Sequence, residues 1–288
     1  MISPAGCVLE SKLNKGIRAI EDRGFKVSLG PHAFSQHWEM AGDDDTRLHD
    51  LLWALRTPEI QAVFCSRGGY GSSRLLSVLA RRGIGNIPKL VVGFSDITAL
   101  QWTLYALWQW HSLSGPLVTE LGTSLSSESE NSFWALAQQQ SGKQLGFGNP
   151  PVDVIRHGEV QGVLMPGCLA IICSLLGTPY MPDLNDAILV VEDISEAPFR
   201  INRMLVHLKN AGVFDQIAAL VVGQFLTSDA KTDAISQPEL RLRLSEILKD
   251  FPGPIVMGIP YGHGQNRWTL PVGSPVRLST DPFLIEMV

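Results

Sequence analysis

Apolar residues recur along this chain in two alternating rhythms, and the alternation predicts strands separated by helices. Leu13, Ile17 and Ile20 fall on one helical face, and Gly24 ends that helix ahead of a short strand over 25–29. The acidic run Asp43-Asp44-Asp45 suits a helix N-terminus, and the helix it opens carries Leu48, Leu51, Leu52 and Leu55 before Pro58. A strand over 61–65 follows, then the Gly-rich turn Arg67-Gly68-Gly69-Tyr70-Gly71 and a helix over 72–82. Next come an apolar strand over 89–94 and a helix that runs through Trp110. Strands alternating with helices in this way imply a parallel sheet covered on both faces.

The rhythm lapses between Ser141 and Gly158, around Gly146-Phe147-Gly148-Asn149-Pro150-Pro151, and the domain boundary is expected there. The expected division is an N-terminal α/β domain over 1–145, a linker over 146–157 and a smaller C-terminal α/β domain over 158–288. In the second part, strand-like runs at 160–164, 188–192, 217–223, 254–259, 275–279 and 283–287 frame helices near 168–176, 198–211 and 236–250. The last strands are so close in sequence that antiparallel pairs, and hence a mixed sheet, are expected.

Bulk properties narrow the function classes. A length of 288 residues exceeds the usual single core, in keeping with two domains. Hydrophobic residues at 45% and charged residues at 18% suit a folded globular protein rather than a disordered one. The net charge of −5 argues against a nucleic-acid surface, which needs clustered Lys and Arg, and favours a small-molecule or peptide ligand. No uninterrupted run of 18 apolar residues occurs, so no membrane span is expected. The four cysteines, at 7, 65, 168 and 173, form neither a CxxC pair nor a disulfide framework and read as reduced thiols. Ala5-Gly6-Cys7 has no basic and apolar leader before it, so a cytoplasmic protein is expected.

Three residues carry candidate chemistry. In Val91-Val92-Gly93-Phe94-Ser95-Asp96-Ile97-Thr98 an apolar strand meets a helix within a residue or two of Ser95. A serine on such an elbow projects its hydroxyl above the sheet as a nucleophile does, although Ile97 replaces the second Gly of Gly-x-Ser-x-Gly. A Ser before Asp also serves as a helix N-cap. The turn at Gly68-Gly69 lets backbone N–H groups approach a ligand, as an oxyanion hole or a phosphate cradle would, but lacks the Lys-Ser/Thr of a P-loop. Glu192 and Asp193 end the apolar run 188–191, where an acid orients a histidine or simply faces solvent. His263 lies in the irregular segment Pro260-Tyr261-Gly262-His263-Gly264-Gln265, a position open to catalytic and structural roles alike. The order nucleophile, acid, base is also that of α/β-hydrolases, though triads recur in several orders.

Five motifs in sequence resemble the LD-carboxypeptidase family, also called muramoyltetrapeptide carboxypeptidases. They are Arg67-Gly68-Gly69-Tyr70-Gly71; Gly93-Phe94-Ser95-Asp96-Ile97-Thr98; Gly177-Thr178-Pro179-Tyr180; Glu192-Asp193 with Arg200-Ile201-Asn202-Arg203-Met204-Leu205; and Gly262-His263-Gly264. The resemblance runs from about residue 3 to 280. It implies a two-domain fold with a Ser95, Glu192, His263 triad closing across the interface, and an oxyanion hole from the backbone of Asp96 and the Gly68-Gly69 turn. The implied substrate is a murein tetrapeptide cut between the L-centre of a dibasic residue and a terminal D-alanine, with no metal or organic cofactor. A homodimer is implied too, and the helix with Trp102, Trp108 and Trp110 offers either contact area for it or ordinary core. Family members place a full strand before Ser-Pro-Ala-Gly, whereas Met1-Ile2 alone precedes it here, so an incomplete first strand is expected.

Two other readings remain. Relatives of the family cleave peptidyl or aminoacyl nucleotides and confer immunity to microcin C-like antibiotics; a non-catalytic ligand-binding module could also use such a sheet. Adenine recognition calls for an aromatic or Arg plane, and the loops 119–131 and 141–158 contain one aromatic residue, Phe147. The acidic stretch from Glu120 to Glu130 is either a solvated surface or a partner for the free amine of a dibasic stem residue.

Overall fold

The protein is described by a computed structural model that covers residues 1–139, 142 and 144–288. Its first half places helix α1 (Glu10–Glu21), helix α2 (Asp44–Arg56), strand β1 (Ala62–Phe64), helix α3 (Leu76–Arg82) and strand β2 (Leu90–Gly93) in succession. Helix α4 (Thr98–Trp108), strand β3 (Ser112–Ser114) and helix α5 (Ser127–Ala137) complete it. The second half runs β4 (Asp153–Arg156), β5 (Glu159–Cys168), α6 (Leu169–Leu175), β6 (Ala187–Ile194), α7 (Pro198–Asn210) and β7 (Ala219–Leu226). It closes with α8 (Gln237–Ile247), β8 (Ile255–Met257), β9 (Leu270–Val272), β10 (Ser274–Thr280) and β11 (Phe283–Met287).

Two sheets result, as the α/β rhythm predicts. The first has the order β1-β2-β3-β9, with β1, β2 and β3 parallel and β9 antiparallel to β3. The second has the order β11-β10-β5-β6-β7-β8-β4; its parallel centre β5 to β8 is flanked by antiparallel strands on both sides. Strand β6 is buried along nearly its whole length, which explains why its sequence is a continuous apolar run rather than an alternating one. The carboxyl ends of β2 and β6 present Ser95 and Glu192, in keeping with the place where open α/β sheets hold ligands.

Several elements depart from the sequence reading for local reasons. Residues 25–29 form no strand: Met1 donates its amine to the Ser28 carbonyl and Gly30 donates to the Met1 carbonyl, but no ladder continues among the described residues. Phe25 instead stacks on Trp134, with ring centroids 5.7 Å apart. Ile2 makes a single parallel bridge to Cys65, so the first strand is one residue long. Within the segment 146–157, β4 pairs with β8 as an edge strand, and β9 from late in the chain joins the first sheet. Of the loop 141–158, residues 141 and 143 lie outside the described residues. Trp102 is fully buried and donates its indole N–H to the Pro166 carbonyl 2.9 Å away, so its ring is spent on core packing between the two halves. Among the described residues no helix is long and apolar enough to cross a membrane.

Candidate active site

The elbow after β2 is as tight as its sequence implies. Phe94 is extended, Ser95 takes φ +63°, and a 3-10 turn over Ser95–Ile97 leads directly into α4. Left-handed φ is costly for a residue with a Cβ and is held only where the surroundings impose it, as at a nucleophile elbow. A side chain at Gly93 would lie 2.6 Å from the Ile97 methyl, so Gly93 makes room for Ile97. This accounts for the apolar residue in the place of a second glycine: Ile97 is fully buried and fills that space from the opposite side.

Ser95, Glu192 and His263 are brought into one line. His263 Nε2 lies 3.1 Å from Ser95 Oγ, and His263 Nδ1 lies 2.7 Å from Glu192 Oε2. A carboxylate only accepts, so Nδ1–H donates to Glu192 and the Nε2 lone pair faces the serine hydroxyl. Glu192 is 0% exposed, and its Oε1 has no hydrogen-bond partner among the described residues, which leaves the imidazole as the main group that satisfies the charge. Burial alone would lower the His263 pKa, but the charge and hydrogen bond of Glu192 outweigh it and hold the imidazole above its ordinary value.

The neighbouring acids serve different ends. Successive strand residues face opposite sides. Asp193 therefore points away from His263 and accepts from the Ala170 N–H at 2.8 Å, near the start of α6, and from the Ile194 N–H at 2.8 Å. Burial, then the charge of Glu192, push the Asp193 carboxyl up to about 6. The Asp96 carboxylate accepts from the Ser72 N–H at 2.9 Å while Ser72 Oγ donates to the Asp96 carbonyl at 2.6 Å, tying the elbow to the Gly-rich turn. Burial raises the Asp96 pKa against these hydrogen bonds.

Gly68 packs directly on the serine: a Cβ there would stand 3.0 Å from Ser95 Cβ and 3.3 Å from Ser95 Oγ. Gly69, at φ +101°, follows in a conformation suited to glycine. The turn is held from behind by Arg47 on α2, which is buried and donates to the carbonyls of Pro4 at 2.6 Å and Gly71 at 2.8 Å.

Four residues around the histidine, Phe94, Arg267, Tyr261 and Gln224, had no role assigned to them from the sequence. Phe94 meets the His263 ring at 4.8 Å between centroids, with 62° between planes, and the Arg267 guanidinium lies over the Phe94 ring, 4.6 Å from its centroid. Glu120 engages the Arg267 guanidinium in two hydrogen bonds, the longer of 3.0 Å. That pairing occupies Glu120, one acid of the stretch from Glu120 to Glu130 that offers a partner for a substrate amine. Tyr261 is buried and shares a 2.7 Å hydrogen bond with Ser114 on β3. Gln224, opposite a shift in the β6–β7 register, accepts from the Gly264 N–H at 3.3 Å, while its backbone N–H donates to the Tyr261 carbonyl at 2.8 Å. The only sequence signals for these were an aromatic beside the elbow and polar residues near the His263 loop.

Fold and site together define a two-sheet α/β protein with an aligned Ser–His–Glu set at strand carboxyl ends. Residues 1–115 match the LD-carboxypeptidase N-terminal domain and residues 161–278 match the LD-carboxypeptidase C-terminal domain. The chain belongs to the LD-carboxypeptidase family. A putative carboxypeptidase of Synechocystis is 34% identical, with 98% of this chain and 91% of the relative covered. The murein tetrapeptide carboxypeptidase of Pseudomonas aeruginosa is 30% identical over 95% of this chain and 90% of its own. Among solved structures, a muramoyltetrapeptide carboxypeptidase from Oxalobacter formigenes superposes with a TM-score of 0.81 at 30% identity, covering 99% of this chain and 97% of that one. The microcin C7 self-immunity protein MccF shares the fold, with a TM-score of 0.86 at 20% identity, covering 100% and 94%.

Proposed function

We propose that this chain is a serine carboxypeptidase that releases terminal D-alanine from murein tetrapeptides by cleaving the L,D-peptide bond. The observation that carries the proposal is the continuous hydrogen-bonded line from Glu192 through His263 to Ser95. Nε2 removes the Ser95 proton as Oγ attacks the scissile carbonyl, and a serine–acyl bond forms. The imidazolium then protonates the departing D-alanine amine, and water, deprotonated by the same nitrogen, hydrolyses the acyl-enzyme. Glu192 stabilises the charged ring throughout. The backbone N–H of Asp96 and the Gly68-Gly69 turn form the oxyanion hole in this reading, because both border Ser95. A cytoplasmic homodimer remains part of the proposal.

The nucleotide-conjugate reading is weaker on local grounds. Of the candidate base-stacking loops 119–131 and 141–158, residues 127–131 belong to helix α5 and 153–156 to strand β4, while Phe147 packs against the core and its carbonyl accepts from Trp268 Nε1 at 3.0 Å. A purely binding protein has no use for a fully buried carboxylate aligned on an imidazole and a strained serine. The test is to incubate wild type and Ser95→Ala with a tetrapeptide ending in D-alanine and to measure released D-alanine. Release by the wild type and its loss by orders of magnitude in the variant are expected. Equal release by both would remove Ser95 from the mechanism, and preference for an aminoacyl-sulfamoyl adenosine would overturn the substrate.

A further inference from the structure

The loop after residue 29 folds over α2, and there three potential ligand atoms converge outside the triad. His32 Nδ1 lies 2.8 Å and His49 Nδ1 3.3 Å from the same oxygen, Asp50 Oδ1. The two rings meet edge to face with centroids 5.3 Å apart. Asp50 is buried, with its side chain 4% exposed, whereas the His32 and His49 side chains are 39% and 60% exposed. A fixed carboxylate thus forms the floor of the cluster and two imidazoles form its open rim.

We propose that His32, His49 and Asp50 form a divalent transition-metal site, with Zn²⁺ as its ion, that fastens the loop to α2. Two imidazoles and one carboxylate oxygen are a donor set that suits zinc, with the remaining position left to water. Two of the three spacings fit the ion directly: at about 2.1 Å from each ligand, atoms 2.8 and 3.3 Å apart subtend roughly 85 and 105° at the metal, and the two ring nitrogens lie within 4.8 Å of each other on the open rim. Without an ion the Nδ1–H groups donate to Oδ1; metal binding moves each ring proton to Nε2 and turns the Nδ1 lone pairs inward.

The carboxylate is held in a fixed orientation by its outer contacts. Its Oδ2 accepts from the His32 backbone N–H at 2.9 Å, which leaves Oδ1 to face the rings, as an outer partner of a metal-bound carboxylate does. Gly30 allows the loop this close, since a Cβ there would fall 2.5 Å from Oδ2. The loop is joined to the sheet edge through the Gly30 N–H to Met1 carbonyl bond of 2.8 Å. On the other side, α2 carries Arg47, whose hydrogen bonds hold Gly71 and Pro4 behind the Gly-rich turn. A bound ion would cross-link these two supports without entering the reaction.

The test titrates zinc chloride into chelator-treated full-length protein by calorimetry and repeats the titration with cobalt chloride, read by its visible absorption. Saturable one-to-one binding is expected in the wild type, together with a rise in Tm as ion is added. The double variant His32→Gln/His49→Gln should fold, since both side chains reach the surface, and bind at least about 100-fold more weakly. Asp50→Asn should also weaken binding. A His263→Ala variant should keep the wild-type affinity, which separates this site from metal captured by the triad. Absence of saturable binding in the wild type, unchanged affinity in the double variant, or loss of binding in His263→Ala would each overturn the proposal.

Discussion

Gly68 touches Ser95 so closely that any side chain on it would press against the serine's own Cβ and Oγ, at 3.0 and 3.3 Å. The glycine is needed there for space. Gly68→Ala should therefore fold, because its backbone is not among the left-handed residues, yet push the serine out of line with Nε2. A displacement of this kind costs about 100-fold in kcat/KM. Steady-state kinetics with an unchanged Tm would bear this out; full activity in Gly68→Ala would show that the turn tolerates a methyl group.

Glu192→Gln changes a charge in a fixed place, and its effect on pH dependence has a definite sign. The base must be neutral, so activity falls on the acid side as His263 takes up a proton. Burial lowers the His263 pKa, and Glu192 more than reverses this. Without the carboxylate the lowering by burial prevails, and the acid limb of kcat/KM should shift to lower pH. Turnover should drop by about 10²–10⁴-fold, since the imidazolium loses its counter-charge. An acid limb that stays in place would mean that another group controls it.

Arg267 and Glu120 are 147 residues apart in sequence and form a pair beside the Phe94 ring that packs on His263. Arg267 is 3% exposed, so Glu120→Gln leaves a buried guanidinium without its counter-charge. This should cost about 3 kcal/mol in urea unfolding. Adding Arg267→Met removes the stranded charge and should recover part of that loss, a coupling that a double-mutant cycle measures directly. Strictly additive losses would show that the pair acts as two independent residues.

The parts of this molecule that were legible in sequence are those governed by short-range patterns. Ser95 was visible because an apolar strand runs into a helix at Gly-Phe-Ser, and Glu192 because a four-residue apolar run ends on it. Their meeting with His263 across 168 residues was not a matter of periodicity; it came from the family resemblance. Strands β3 and β9 have three residues each, too few for a period to emerge, and β9 pairs with a strand some 160 positions earlier. The expected strand over 25–29 has the right residue types, but Phe25 and Leu29 remain more than a third exposed and the ladder does not continue. Composition carries strand propensity, whereas pairing depends on a neighbour that local sequence does not specify.

Asp193 and Glu192 are adjacent acids with different partners, Ala170 and Ile194 for the first and His263 for the second. The Asp193 carboxyl titrates at about 6 in the folded chain, against an ordinary value of 3.8, because burial and then Glu192 oppose its charge. The folded state therefore holds this proton more tightly than the unfolded state does. The stability linked to it is fully present below about pH 3.8 and is lost as pH rises through about 6. At one pKa unit per about 1.4 kcal/mol, the rise from 3.8 to about 6 makes the loss on the order of 3 kcal/mol at neutral pH. Asp193→Asn cannot ionise, and its Oδ1 still accepts from Ile194, though the Ala170 N–H loses its acceptor because an amide nitrogen only donates. Urea midpoints measured from pH 4 to 7 should fall less steeply in the variant than in the wild type. Because Asp193 does not touch His263, kcat/KM should stay within about 10-fold of wild type, unlike Glu192→Gln. Parallel stability curves would rule out Asp193 as the titrating group, and a collapse of turnover would give it a part in the reaction that its hydrogen bonds do not indicate.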